Sequence, residues 1–286
     1  EFLMARFTNQ AQLAYRNRIT TSNIAVGEIL EVLSAAKHAV VETYESYDVI
    51  TYVVSLVNSG ATALTGLVLT DNLGAYTFNE TSLFPLQYVA NSLKYYVNGV
   101  LQTSPVIASQ EPLRIEGISI PAQGNAVVIY QAALTQFAPP ATDSTITNQA
   151  VISGTGISSI TVEETISALA EPILNITKSI SPVPVTENGA LTYTFVIENR
   201  GNVPAAPVDL IVITDQFNPI LSDLTVTFNG TAWAEGTQYT YDQTTGLFTT
   251  KAGEITVPAA TFTQNADTGA WSVIPGTSTL VITGTV

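Results

Sequence analysis

The sequence predicts an all-β protein: two tandem Ig-like β-sandwich domains preceded by an extended N-terminal arm. Three observations carry this reading. Short runs rich in Val, Ile, Thr and Tyr alternate apolar with polar residues, and Asn-Gly, Asp-Asn and Pro-Gly turns punctuate them. No 11-residue window shows a helical period with caps. The body of the chain also occurs twice. Thr51 and Thr192, Tyr52 and Tyr193, Asn58 and Asn199, and Gly60 and Gly201 are all separated by the same offset, which Lys37 and Lys178 share. LVLTDNL matches IVITDQF, pairing Asp71 with Asp215, and Asn98-Gly99 recurs as Asn229-Gly230. Two sandwiches suit a chain of 286 residues.

The elements follow in order. Residues 1–29 form an arm and connector, 30–155 the first sandwich, 156–172 a connector, and 173–286 a second sandwich that lacks its final strand. The expectation of a missing strand rests on the ends of the two copies. AVVIYQAAL (126–134) matches TLVITGTV (279–286), but the first copy continues into ITNQAVISG (146–154). The strand reappears upstream. FTNQAQLAY (7–15) shares Thr-Asn-Gln-Ala with that terminal strand, and residues 22–28 and 158–164 both fit S-x-I-x-V-x-E. In 7–15 the odd positions Phe7, Asn9, Ala11, Leu13 and Tyr15 form a mostly apolar face. A sandwich missing an edge strand exposes unpaired backbone groups and an apolar groove, which another chain's strand can fill. The arm is therefore expected to complete the second domain of a neighbouring identical subunit, giving a head-to-tail filament.

Composition narrows the chemistry. Nine Lys and Arg against 23 Asp and Glu give a formal net charge of −14, which argues against a nucleic-acid partner. There is no cysteine, and His38 is the one histidine, so thiol chemistry and a histidine-built metal site lack their ligands. No metal or other cofactor is expected. Asp71-Asn72 with Gly74 lacks the spaced carboxylates of a calcium loop. No apolar run is long enough for a membrane-spanning helix, and EFLMARFTNQ lacks the apolar core of a signal peptide.

Three polar residue types recur on apolar strand faces. Lys37 alternates with Ala35 and Ala39, and Lys178 with Ile176 and Ile180. Asp71 shares a face with Leu67 and Leu69, and Asp215 with Ile211 and Ile213. Asn148 lies among Ile146, Ala150 and Ile152, and Asn9 holds the matching place in the arm. Lys, Asn and a carboxyl group in a dry core are the components of a self-formed isopeptide bond. Burial disfavours charged forms, so the amine becomes a nucleophile and the carboxylic acid a proton shuttle. The expected bonds are Lys37 to Asn148, assisted by Asp71, and Lys178 to Asn9 of a neighbour, assisted by Asp215. The competing reading is a buried Lys–Asp ion pair with an Asn hydrogen bond and no covalent step.

A strand lysine, then TY-x-x-x-x-x-N-x-G, then T-D, then a terminal T-N-x-A-x-V strand resembles the "domain of unknown function eleven" repeat of bacterial surface proteins. The resemblance implies an extracellular, Ig-like, pilin-like stalk or fibre module of a cell surface, and not an enzyme beyond one self-directed turnover. A start near Met4 without a signal core suits a filament carried on a spore surface. Two roles remain open at this stage: a filament subunit, or an adhesin stalk whose loops bind a host or surface ligand.

Overall fold

The computed structural model describes residues 4–15 and 18–286, and for 4–6, 15 and 28–30 the backbone alone. The side chain of Tyr15, expected on the arm's apolar face, lies outside the described residues. Contacts divide the chain into two compact units, 1–138 with 145–167, and 139–144 with 168–286. Among the described residues there is no α-helix; one short 3-10 turn, Pro207–Asp209, interrupts the strands.

The arm forms four strands: β1 (Met4–Asn9), β2 (Gln12–Tyr15), β3 (Arg18–Thr21) and β4 (Ala25–Leu30). They pair with each other, β1 with β4 and β2 with β3, both antiparallel. The free arm is thus a narrow two-stranded ribbon, a form that is marginal in water on its own. Phe7, Leu13, Ile19, Ile24 and Val26 are all exposed on it.

The first sandwich packs two six-stranded sheets. One is ordered β13-β12-β16-β7-β5, with β11 also pairing β16, and the other β14-β15-β8-β17-β18-β6. The strands are β5 (Leu33–Ala39), β6 (Thr43–Tyr44), β7 (Val49–Asn58) and β8 (Leu64–Asp71). A small hairpin, β9 (Tyr76–Phe78) and β10 (Thr81–Leu83), precedes β11 (Leu86–Tyr88), β12 (Lys94–Val97) and β13 (Val100–Gln102). The rest are β14 (Val106–Gln110), β15 (Leu113–Ile120), β16 (Asn125–Leu134), β17 (Thr145–Ser153) and β18 (Ile160–Ala168). Alternation decides which residues enter the core. Along β7 and β16 every second side chain is buried, from Ile50 to Leu56 and from Ala126 to Ala132. The stretch 156–172, expected as a connector, carries β18, which pairs with β17 along its length.

The second sandwich repeats the five-strand path of the first sheet, without a counterpart of β11. Its order is β23-β22-β28-β20-β19, built from β19 (Leu174–Ser181), β20 (Ala190–Asn199), β22 (Ser222–Phe228), β23 (Thr231–Trp233) and β28 (Gly276–Thr285). The opposing sheet has three strands, ordered β21-β25-β24: β21 (Thr214–Gln216), β24 (Tyr239–Asp242) and β25 (Leu247–Thr250). A separate hairpin joins β26 (Thr261–Gln264) to β27 (Trp271–Ile274). The repeat aligns β21 with β8. Where β8 continues to β17, β18 and β6, the sheet of the second sandwich stops at β21. Three strands stand beyond β8 and none beyond β21. β17 and β18 have no counterpart in the second repeat, where the sequence suggests one missing strand, and the two-residue β6 corresponds to 184–185, which form no strand.

The duplication extends to turn chemistry. Asn58 accepts from Gly60 N–H and donates to the Thr62 and Pro121 carbonyls; Asn199 accepts from Gly201 N–H and donates to the Val203 carbonyl. Asn98 and Asn229 each accept a backbone N–H from the strand opposite, Asn125 and Thr279. These asparagines hold turns.

Candidate functional site

In the first sandwich the three expected residues meet. Lys37 on β5, Asp71 at the end of β8 and Asn148 on β17 face inward between the two sheets, and all three are buried. Lys37 Nζ donates to Asp71 Oδ2 at 2.6 Å and to the Asn148 backbone carbonyl at 2.8 Å. Asp71 Oδ1 accepts from Leu73 N–H, which fixes the carboxylate plane. Burial pulls the Lys37 pKa below the usual lysine value, although the Asp71 charge opposes the shift.

Two tyrosines complete the pocket. Tyr130 on β16 donates its hydroxyl to Asp71 Oδ2, and Tyr52 on β7 stacks on Tyr130 at 5.7 Å while lying under the Lys37 ammonium at 4.8 Å. Burial raises both phenol pKa values, so both stay protonated. Tyr130 donates to Asp71, whereas the Tyr52 hydroxyl is buried without a hydrogen-bond partner. Neither is among the site residues expected from the sequence, where Tyr52 serves only to mark the repeat. Their signal was alternation: Tyr130 points the same way as Val128 and Ala132, and Tyr52 the same way as Val54.

The carboxamide of Asn148 is the unusual feature. It lies close enough to both phenols to oppose the upward pull of burial on their pKa values, yet neither its Oδ1 nor its Nδ2 makes a hydrogen bond. A buried amide without partners costs about 1–3 kcal/mol per unsatisfied group. That amide stands beside both an amine and a carboxyl group.

The second sandwich holds half of the same arrangement. Lys178 on β19 pairs with Asp215 Oδ2 and lies over Tyr193 at 4.2 Å. The surroundings differ. The side chains of Lys37 and Asp71 are 0% exposed, those of Lys178 and Asp215 38% and 18%. The burial expected for Lys178 from its alternation is absent in the free chain, because the strands that cover Lys37 have no counterpart over Lys178. Every residue of β19 is exposed, including Leu174, Ile176 and Ile180. Tyr130 has no equivalent either: Tyr130 stands opposite Tyr52, and Ile282 opposite Tyr193, while Phe217 stacks on Tyr193 at 4.9 Å. Asn9 sits on the exposed arm opposite Ala25 and is not among the partners of Lys178.

The strand edge tells the same story. In the first sandwich β17 pairs with β8 through Ala150 opposite Asp71, Val151 opposite Thr70 and Ile152 opposite Leu69. The matching segment 211–215 has strand character only from Thr214 onward, pairs only with β25, and exposes Val212.

The remaining candidates carry less. His38 points outward, with Glu164 Oε2 3.7 Å away. Asn72 spends its side-chain oxygen on Gly74 N–H and Gln149 N–H, closing the turn after Asp71. Among the described residues no group of three acidic or histidine side chains could hold a metal.

No family model and no curated protein matches this sequence. Solved structures match weakly and share the all-β, Ig-like architecture. BcpA, the major pilin subunit of Bacillus cereus, is 10% identical, with a TM-score of 0.36 over 95% of this chain and 73% of that one. The pilus backbone RrgB of Streptococcus pneumoniae is 10% identical at TM-score 0.34, over 85% of this chain and 55% of that one. The collagen-binding subdomain ACE19 of the Enterococcus faecalis surface protein ACE is 9% identical at TM-score 0.30, over 48% of this chain and 95% of that one. The chain spans about half the length of the pneumococcal backbone protein. Its own strands make it an all-β protein of two sandwiches.

Proposed function

We propose that the chain is the structural subunit of a surface filament, a module of the bacterial surface-repeat family it resembles. Subunits join head to tail when the N-terminal arm of one copy completes the second sandwich of the next. The observation that carries this is the contrast between the sandwiches. The same Lys–Asp pair is sealed by strands beyond β8 in one and left open beyond β21 in the other, while the arm repeats the sequence of the sealing strand. Insertion removes Leu174, Ile176 and Ile180 from water together with Phe7 and Leu13, at about 1.5–3 kcal/mol for each side chain fully buried.

Amide bonds then lock the assembly. Neutral Lys37 Nζ attacks the Asn148 carboxamide carbon; the new C–N bond forms as the old one breaks, and one proton of the amine passes by way of Asp71 to the departing NH2, which leaves as ammonia. Each linkage loses one ammonia and consumes no other reagent. Tyr130 holds the Asp71 carboxyl in place, and positioning in a dry core supplies the acceleration that a single turnover needs. Lys178, Asp215 and Asn9 of the neighbouring copy perform the same step between subunits. The protein acts on itself once and on no outside substrate.

Intact mass tests the first bond: the chain weighs one ammonia less than its sequence, and Asn148→Ala abolishes the difference. Boiling assembled material in detergent tests the second. A ladder of multimers that collapses to monomer in Asn9→Ala and in Lys178→Ala is the expected result. Purified chain that stays monomeric at high concentration under negative stain would overturn the filament in favour of an adhesin stalk.

A further inference from the structure

The second sandwich has no counterpart of β17 and β18, and the arm contains two segments that match them. In the first sandwich the inward residues of β17 are Ile146, Asn148, Ala150 and Ile152, and those of β18 are Ile160, Val162, Glu164 and Ile166. The arm repeats both sets, as Phe7, Asn9, Ala11 and Leu13, and as Ile24, Val26, Glu28 and Leu30. In the β17–β18 pair, Asn148 stands opposite Glu164 and Ala150 opposite Val162, so both sets share one face.

The free arm is paired differently. Asn9 stands opposite Ala25 and Phe7 opposite Gly27, where the β17–β18 pattern would put Asn9 opposite Glu28 and Phe7 opposite Leu30. The two registers differ by three residues. An odd shift reverses the facing of one strand against the other, so the free ribbon points its two apolar rows to opposite sides. All of Phe7, Leu13, Ile24 and Val26 are at least half exposed there. The ring of Phe7 lies across Gly27 so closely that a Cβ at 27 would sit 2.3 Å from it. The slack for a shift exists: ten residues, 14–23, join the two sets in the arm, against seven, 153–159, in the first sandwich.

We propose that the open edge of the second sandwich accepts a two-stranded hairpin from a second copy, residues 7–13 and 24–30, and that the arm slides by three residues to reach this form. This rests on the strand-donation reading and specifies what is donated. The first strand brings Asn9 to Lys178, and the second covers it and brings Glu28 to the place that Glu164 holds beside Lys37. The register of the free arm cannot present both rows to one groove, so a subunit does not fill the groove until its arm has re-paired.

The chain has no cysteine, so paired cysteines report the register cleanly. Opposite residues of an antiparallel pair are about 4.5–5.5 Å apart, within disulfide reach. Ala5→Cys with Ile29→Cys locks the free register, in which these residues stand opposite each other. Gln12→Cys with Ala25→Cys locks the shifted one, on the face turned away from the groove. Oxidised Ala5→Cys/Ile29→Cys is expected to extend filaments at least tenfold more slowly than its reduced form. Oxidised Gln12→Cys/Ala25→Cys is expected to assemble at the wild-type rate or faster. Equal rates for the oxidised and reduced Ala5→Cys/Ile29→Cys protein would overturn the register shift while leaving strand donation intact. A wild-type chain that forms no filaments overturns both.

Discussion

The two Lys–Asp pairs occupy the same place in a duplicated fold, yet one is sealed and the other is nearly two-fifths open on its lysine. Both lysines lie on the first strand of a five-strand sheet path and both aspartates on the strand opposite. What separates them is β17 and β18. Those strands bring the asparagine, close the edge and exclude water, and burial then lowers the Lys37 pKa. The chemistry of the site is therefore governed by sheet completion. In the first sandwich the chain itself completes the sheet; under the proposed strand donation the second waits for another chain, which would tie bond formation to assembly.

The largest expected effect separates the two lysines directly. In the bond-free Asn148→Ala background, Lys37→Met leaves Asp71 buried without its cation and should cost about 3–5 kcal/mol in the first sandwich. Lys178→Met removes a partly solvated pair and should cost the free chain about 1 kcal/mol or less. Thermal unfolding of the two variants checks this, and equal losses would break the comparison. Tyr130→Phe comes next. It removes the hydroxyl that Asp71 accepts and should destabilise the first sandwich by about 1–3 kcal/mol, whereas Ile282 already leaves the second without one.

A pH titration sharpens the same contrast. In Asn148→Ala, where no bond can form, the unfolded chain binds the Lys37 proton more tightly than the folded chain does. Stability should then rise with pH between the lowered folded pKa and the usual 10.5, by up to about 1.4 kcal/mol per pH unit. Denaturant midpoints across that range provide the measurement. By the same sign, ammonia loss in the refolding wild type should quicken as pH rises. The smallest effect is expected at Ile176→Ser, within about 0.5 kcal/mol in the free chain because the side chain is exposed. Its filaments should nevertheless dissociate more readily, and a variant equally stable in both tests would remove β19 from the interface.

Much of this was legible in the residues. The duplication, the sandwich class and the inward facing of Lys37, Asp71 and Asn148 all follow from period-two alternation and matched spacing. So does the kinship of residues 7–13 with β17, which needs only identity of pattern. Tyr52 and Tyr130 were harder to read. An inward tyrosine looks the same in sequence whether it packs a core or donates to a carboxylate, and only the approach of β16 to β8 distinguishes the two. The width of the gap was also hidden, because 156–172 lacks an Asn or Lys to mark it and its strand character depends on pairing with β17.

By itself the sequence determined which side chains face inward and which residues recur, since alternation along a strand is a local property of the backbone. Tertiary structure alone decided which of the two lysines is dry and that two strands, not one, close the first site. It also decided that the arm of the free chain pairs three residues out of register with the hairpin it resembles. Burial, edge completion and register depend on how separate strands meet, and an isolated strand carries no record of its neighbour.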